Sequence, residues 1–161
     1  MLAHSIERKE LPPLRVIRET LQSGVTGEEM PKVLIVDDDP NTVEMLAKAL
    51  TLFGHQAERA FSGEEALEQV NAQPPDLILL DLMMPGIDGY ETLRRLRRMP
   101  TGNRLPVIVV TASSEPDLEQ RVAAAGATGC LRKPVQLSVL ADLIDHSLTP
   151  RLEKDGASAA H

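Results

Sequence analysis

Between residues 32 and 148 the chain alternates short, unbroken apolar runs with longer amphipathic segments of helical period, and no other feature constrains its fold as tightly. Val33, Leu34, Ile35 and Val36 make the first run, apolar throughout and largely β-branched, as a strand buried on both faces requires. Comparable runs at 77–80 and 106–110 predict a third and a fourth strand, with short strands also at 56–60 and 129–132. After Pro40, suited to an early helical position, Val43, Leu46, Ala47 and Leu50 recur at i, i+3, i+4 and i+7, and Gly54 stops that helix. Ser62 and Glu65 form a capping box ahead of Ala66, Leu67 and Val70 on a second helix that ends before Pro74 and Pro75.

A loop with Pro85, Gly86 and Asp88-Gly89 leads into a third helix with Leu93 and Leu96 inward. Ser114 is the expected cap of a fourth helix over 115–124, stopped by Gly126. A fifth helix is predicted over 135–148, with Leu137, Leu140, Leu143 and Ile144 inward and Pro150 as its end. Five strands alternating with five helices demand right-handed crossovers and a parallel sheet covered on both faces, the doubly wound α/β class.

Sites in that class lie beyond the carboxyl ends of the strands. Strand one runs into Asp37, Asp38 and Asp39, strand three into Asp81, strand four into Thr111, and strand five into Lys133 and Pro134. A single acidic residue after a strand is ordinarily a helix cap, and Asp39 is read that way. Two carboxylates about 4 Å apart repel by roughly 4 kcal/mol at an effective dielectric near 20, so Asp37, Asp38 and Asp81 together call for a cation. Oxygen-only donors describe Mg²⁺ better than a caged Ca²⁺, and no His or Cys stands ready for zinc.

Through VDDDP at 36–40, LLDLMMPGIDG at 79–89, VVTAS at 109–113 and LRKP at 131–134, the sequence resembles the response-regulator receiver family over about residues 32–148. The resemblance implies a flavodoxin-like sheet in strand order 2-1-3-4-5. It further implies that Asp81 is phosphorylated, that Asp38, Asp81 and the backbone carbonyl of Met83 ligate Mg²⁺ directly, and that Asp37 acts through water. Thr111 and Lys133 would each meet a phosphoryl oxygen, the Lys133–Pro134 peptide being a candidate cis bond. The donor would be a phosphohistidine on a histidine kinase or histidine phosphotransfer protein, so His4, His55, His146 and His161 are expected at the surface. Such a protein assists its own phosphorylation and dephosphorylation but is not a multiple-turnover enzyme.

Two departures from the family pattern stand out. An aromatic is usual three residues before the lysine; here Cys130 occupies that switch position, and it reads as a small buried hydrophobe rather than a redox centre. The side chains that govern loss of the phosphoryl group in the family correspond to Met83 and Ser113, neither suited to orient water, which implies slow self-dephosphorylation. A phosphohydrolase of the haloacid-dehalogenase type also uses a strand-end Asp, but it needs an acid two residues later, where Met83 stands. A phosphorylation-independent scaffold is the remaining alternative.

The length of 161 residues fits one domain. Residues 1–31 form an N-terminal extension, partly helical or disordered, with Leu14, Ile17 and Leu21 on one face; Met30 is an alternative start. Residues 32–148 are expected to form the receiver and 149–161 a disordered tail, with too few residues on either side for an effector domain to be expected. A net charge of −7 and 2% aromatics argue against nucleic-acid partners, and the arginines at 94, 95, 97 and 98 read as a solvated helix face. One cysteine excludes an internal disulfide, and no apolar stretch at the N-terminus suits a signal or membrane helix, so a cytoplasmic chain without membrane contact is expected. Output would pass by protein contact to a downstream target, the chain being a monomer or a weak phosphorylation-dependent homodimer.

Overall fold

Buried apolar runs cannot satisfy their backbone groups except by pairing, and in the computed structural model they pair in parallel. The structure describes residues 30–159, with side chains described to residue 149. Strands β1 (Lys32–Val36), β2 (Gln56–Ala60), β3 (Leu77–Leu80), β4 (Val107–Thr111) and β5 (Gly129–Arg132) form one sheet in the order β2-β1-β3-β4-β5. Helices α1 (Pro40–Leu52), α2 (Gly63–Ala72), α3 (Gly89–Arg98), α4 (Leu118–Ala124) and α5 (Leu137–Ala159) connect and cover it.

Side chains alternate across each strand, so one run of apolar residues feeds two cores. Val33, Ile35, Leu77, Leu79, Ile108 and Val110 pack beneath α1 and α5, through Val43, Leu46, Leu50, Leu140 and Ile144. Leu34, Val36, Ile78, Leu80 and Val107 pack on the other face with Ala66 and Val70 of α2 and Leu93 and Leu96 of α3. Val109 and Leu82 meet Leu118 and Val122 of α4, with Tyr90 and Cys130 at the edge of that cluster.

Caps fix where three helices begin. Asp39 accepts from Asn41 N–H at 3.1 Å and from the Thr42 hydroxyl at 2.9 Å, with Pro40 opening α1. The Ser62 hydroxyl accepts from Glu65 N–H at 3.1 Å, while the Glu65 carboxylate takes the Phe61 N–H at 3.2 Å. Asp88 accepts from Glu91 N–H at 2.8 Å to start α3.

Several expectations need correction. α4 begins at Leu118 without a side-chain cap, because Pro116 disfavours helical backbone at Glu115; Ser114 therefore caps nothing. α5 continues past Pro150, where the sequence reading ended it, so the expected disordered tail is helical as far as Ala159. A proline removes one hydrogen bond, and the Leu152, Glu153 and Lys154 that follow are good helix formers. Leu137, expected inward, is 39% exposed in the first turn of α5, while Leu140 and Ile144 are fully buried. His55 is only 7% exposed; its backbone N–H donates to Leu50 O at 2.9 Å, and its ring Nε2 lies 3.9 Å from an Asp145 carboxylate oxygen of α5. Burial lowers its pKa, opposed by Asp145. His146 is exposed as expected, and His4, His161 and the helical face at 14–21 lie outside the described residues.

The arginines of α3 also divide. Arg94 and Arg95 pair with Glu91 at 3.1 and 2.9 Å, as a solvated face would. Arg97 instead crosses to the turn after α4, donating to Gly126 O at 3.0 and 2.7 Å and to Gly102 O at 2.8 Å.

The first turn of α3 lies against β3: Gly89 N–H donates to Leu82 O at 3.0 Å, and a Cβ on Gly89 would stand 2.4 Å from Asp81 O. Nothing but backbone lies there to yield. Gly89→Ala is expected to cost about 1–3 kcal/mol, the usual penalty of overpacking, read as a lower urea midpoint; an unchanged midpoint contradicts this account.

Candidate functional site

The residues after the strands continue the sheet's own ladder. Asp37 N–H donates to Ala60 O at 3.2 Å, Asp81 N–H to Val36 O at 2.9 Å, and Lys133 N–H to Thr111 O at 2.8 Å. Side chains from three loops are thus placed by hydrogen bonds belonging to the sheet.

At this edge, carboxylate oxygens of Asp37, Asp38 and Asp81 all lie within 4.8 Å of one another. Asp37 is 3% and Asp81 6% exposed, whereas Asp38 faces solvent. Lys133 Nζ donates to Asp37 Oδ2 at 2.8 Å and lies 3.7 Å from Asp81 Oδ2. The second oxygens are held by backbone: Asp39 N–H donates to Asp37 Oδ1 at 2.9 Å and Met83 N–H to Asp81 Oδ1 at 3.3 Å. Thr111 is fully buried at the end of β4, its hydroxyl accepting from Ser113 N–H at 3.3 Å. The Lys133–Pro134 peptide is cis.

Burial and the charge of Asp37 raise the Asp81 pKa; Lys133, the Met83 N–H and the Thr111 hydroxyl offset this only in part. Burial works against the Lys133 charge, but its hydrogen bond to Asp37 and the charges of Asp81, Asp37 and Asp39 outweigh that and raise its pKa. Three carboxylates face one ammonium, so the cluster keeps an excess of negative charge and only oxygen donors. A small hard cation fits that donor set.

Two features escaped the sequence reading. Arg132 clamps the β4–α4 loop, donating to Ser113 O at 2.7 Å and Glu115 O at 2.8 Å. Tyr90 packs at the edge of the cluster containing Leu82, Val109 and Leu118, where Cys130 also packs, and Arg121 lies over its ring at 4.9 Å. The Arg of LRKP and the Tyr after Asp88-Gly89 were visible, but nothing local assigns either a long-range partner. Cys130 is half-buried and burial raises its thiol pKa, in keeping with a packing role. Met83 is 62% exposed at the lip of a cleft of about 680 Å³ between the β3–α3 and β4–α4 loops.

A doubly wound sheet with acidic side chains and a lysine converging on its carboxyl edge defines a phosphoacceptor signalling module. Over residues 33–145 the chain matches the model of the response regulator receiver domain, and it belongs to that family. It is 39% identical over 132 residues to the transcriptional regulatory protein AfsQ1 of Streptomyces coelicolor, covering 81% of this chain and 56% of that protein. With the response regulator MprA of Mycobacterium ulcerans it shares 42% identity over 111 residues, 68% of this chain and 46% of the other. The chain thus spans about half the length of the curated relatives it matches. Among solved structures, the chemotaxis protein CheY4 of Vibrio cholerae aligns with a TM-score of 0.70 at 32% identity, covering 74% of this chain and 99% of that one. The chain is accordingly a two-component phosphoacceptor domain. Among the described residues, no helix is long and apolar enough to cross a membrane.

A carboxyl whose pKa rises on folding stabilises the fold below its unfolded pKa and loses that contribution as pH climbs through the folded one. Removing the Asp81 charge should therefore stabilise the cation-free protein at neutral pH. Asp81→Asn is expected to raise Tm by about 2–4 °C in chelator, the response of a chain this size to ~1 kcal/mol. Mg²⁺ should then raise the Tm of the parent more than that of the variant. A lower Tm for Asp81→Asn in chelator would count against a charge-strained cluster.

Proposed function

We propose that Asp81 is the residue phosphorylated, that the phosphoryl group comes from a phosphohistidine on a histidine kinase or histidine phosphotransfer protein, and that the signal leaves by protein contact. One observation carries this reading: Asp81, Asp37, Asp38 and Lys133 meet at a single sheet edge, with Asp81 nearly buried yet next to an open cleft.

Mg²⁺ is the cation that suits the donor set, with Asp38, Asp81 and the Met83 carbonyl as direct ligands and Asp37 acting through water; when bound it offsets charge on the phosphoryl oxygens. The chain's own residues do the rest. The Met83 N–H holds Asp81 Oδ1, which leaves Oδ2 as the oxygen directed at phosphorus. Lys133, 3.7 Å from Oδ2, supplies a positive charge where the phosphoryl oxygens gather. Thr111, at the end of the adjacent strand, is the hydroxyl available to one of those oxygens. Its link to Ser113, and that of the Ser113 hydroxyl to Glu115 N–H at 3.3 Å, gives a rearrangement at Thr111 a route towards α4. The expected output face comprises α4, β5 and α5, on a cytoplasmic chain that is monomeric or dimerises weakly once phosphorylated. Residues 32–148 serve as the receiver unit.

Intact-protein mass after incubation with acetyl phosphate and Mg²⁺ tests this directly. One phosphate on the parent and none on Asp81→Asn is expected; an adduct on both overturns Asp81 as the acceptor, and an adduct on neither, even with a histidine kinase as donor, favours a phosphorylation-independent scaffold. Because Met83 and Ser113 offer no carboxylate or amide to orient water, the phosphorylated form should persist for many minutes after the donor is removed. Decay within seconds contradicts that assignment.

A further inference from the structure

A second feature lies away from the acidic edge. Between α3 and α4 runs an open groove of about 660 Å³ whose lining includes Arg94, Arg97, Arg98 and Arg121 against a single acidic residue, Asp88. This concentration of positive charge sits on a chain whose net charge is −7.

Arg97 is the anchor. Its guanidinium is half-buried and fixed by hydrogen bonds to Gly126 O and Gly102 O, which are neutral carbonyls and leave the positive charge unmatched. Burial lowers its pKa, the cost of holding a cation where no carboxylate answers it. Among the described residues, neither Arg97 nor Arg98 has a carboxylate within salt-bridge distance. Arg94 shares Glu91 with Arg95, and Arg121 is shared between Glu115 and the Tyr90 ring. Such exposed pairs are weak and exchange partners readily. A guanidinium already immobilised by carbonyls loses less freedom on meeting a carboxylate than a free one does.

We propose that this groove is a docking surface for a short acidic segment of a partner protein, whose carboxylates meet Arg97, Arg98 and Arg94. From Asp88 to Arg98 the helix wall runs about 15 Å at 1.5 Å per residue, the span of roughly five residues of extended peptide. That length selects the occupant. A nucleic acid long enough to bind tightly would extend past the groove over a surface of net negative charge, whereas a short acidic peptide meets the arginines alone. The groove is lined by neither Asp81 nor Lys133, although it shares Asp88 and Tyr90 with the cleft beside Met83.

Tyr90 is the one tyrosine of a chain without tryptophan; it lines both this groove and the cleft beside Met83, so its fluorescence reports binding at either, and the arginine variants assign the change to the groove. The test titrates the full unphosphorylated chain with hexaglutamate peptide at about 0.15 M salt, where long-range attraction is largely screened, following tyrosine emission. A saturable change is expected, weakened about tenfold in Arg94→Gln/Arg98→Gln and within twofold of the parent in Arg104→Gln, an exposed arginine absent from the groove lining. All three positions are exposed, so the variants should fold, which circular dichroism checks. The proposal is overturned if the parent gives no saturable change, if Arg104→Gln weakens binding as much as the double variant, or if a thymidine decanucleotide binds more tightly than the peptide.

Discussion

Everything at the functional edge turns on how two nearly buried carboxylates tolerate each other. Asp37 and Asp81 come from adjacent parallel strands, and the ladder bonds that carry their backbones fix their separation. Lys133 stands between them from the far side of the sheet's second half, closer to Asp37 than to Asp81. One ammonium does not balance three carboxylates. The residual negative charge makes the cluster receptive to a cation and keeps Asp81 reluctant to ionise while none is present.

That arrangement depends on the strands being buried on both faces. Because β1, β3 and β4 are fully or almost fully apolar, they have one stable place, the middle of a parallel sheet, and their carboxyl ends are forced side by side. The helices then act as covers whose starting points are set by Asp39, Ser62 and Asp88. Gly89 extends the same logic: only a residue without a side chain lets α3 begin directly against the Asp81 carbonyl.

The strands were legible in the sequence because burial on both faces leaves an uninterrupted apolar run, and the site was legible because its members sit at the ends of those runs. Where tertiary contact decides, local pattern failed. Leu137 lies in phase with Leu140 and Ile144, yet it falls in the first turn of α5, where it stays exposed. His55 looks like a surface histidine until α5 packs near it. Arg97 is indistinguishable in sequence from Arg98, and its two carbonyls come from the loop after α3, at Gly102, and from the approach of the turn after α4, at Gly126. Pro150 has the local signature of a helix stop, yet the helix continues beyond it to Ala159.

The three consecutive aspartates after β1 have separate duties: Asp37 is buried with the lysine, Asp38 faces water, and Asp39 pins the start of α1. The outermost member answers to the helix, through Asn41 and Thr42, and its own N–H steadies Asp37. The acidic pocket is thereby built before any ion arrives, from interactions that an ion's departure does not break. A cation entering the pocket would meet carboxylates already held in place and would change the local charge, so a binding partner at this edge would meet occupancy first as charge.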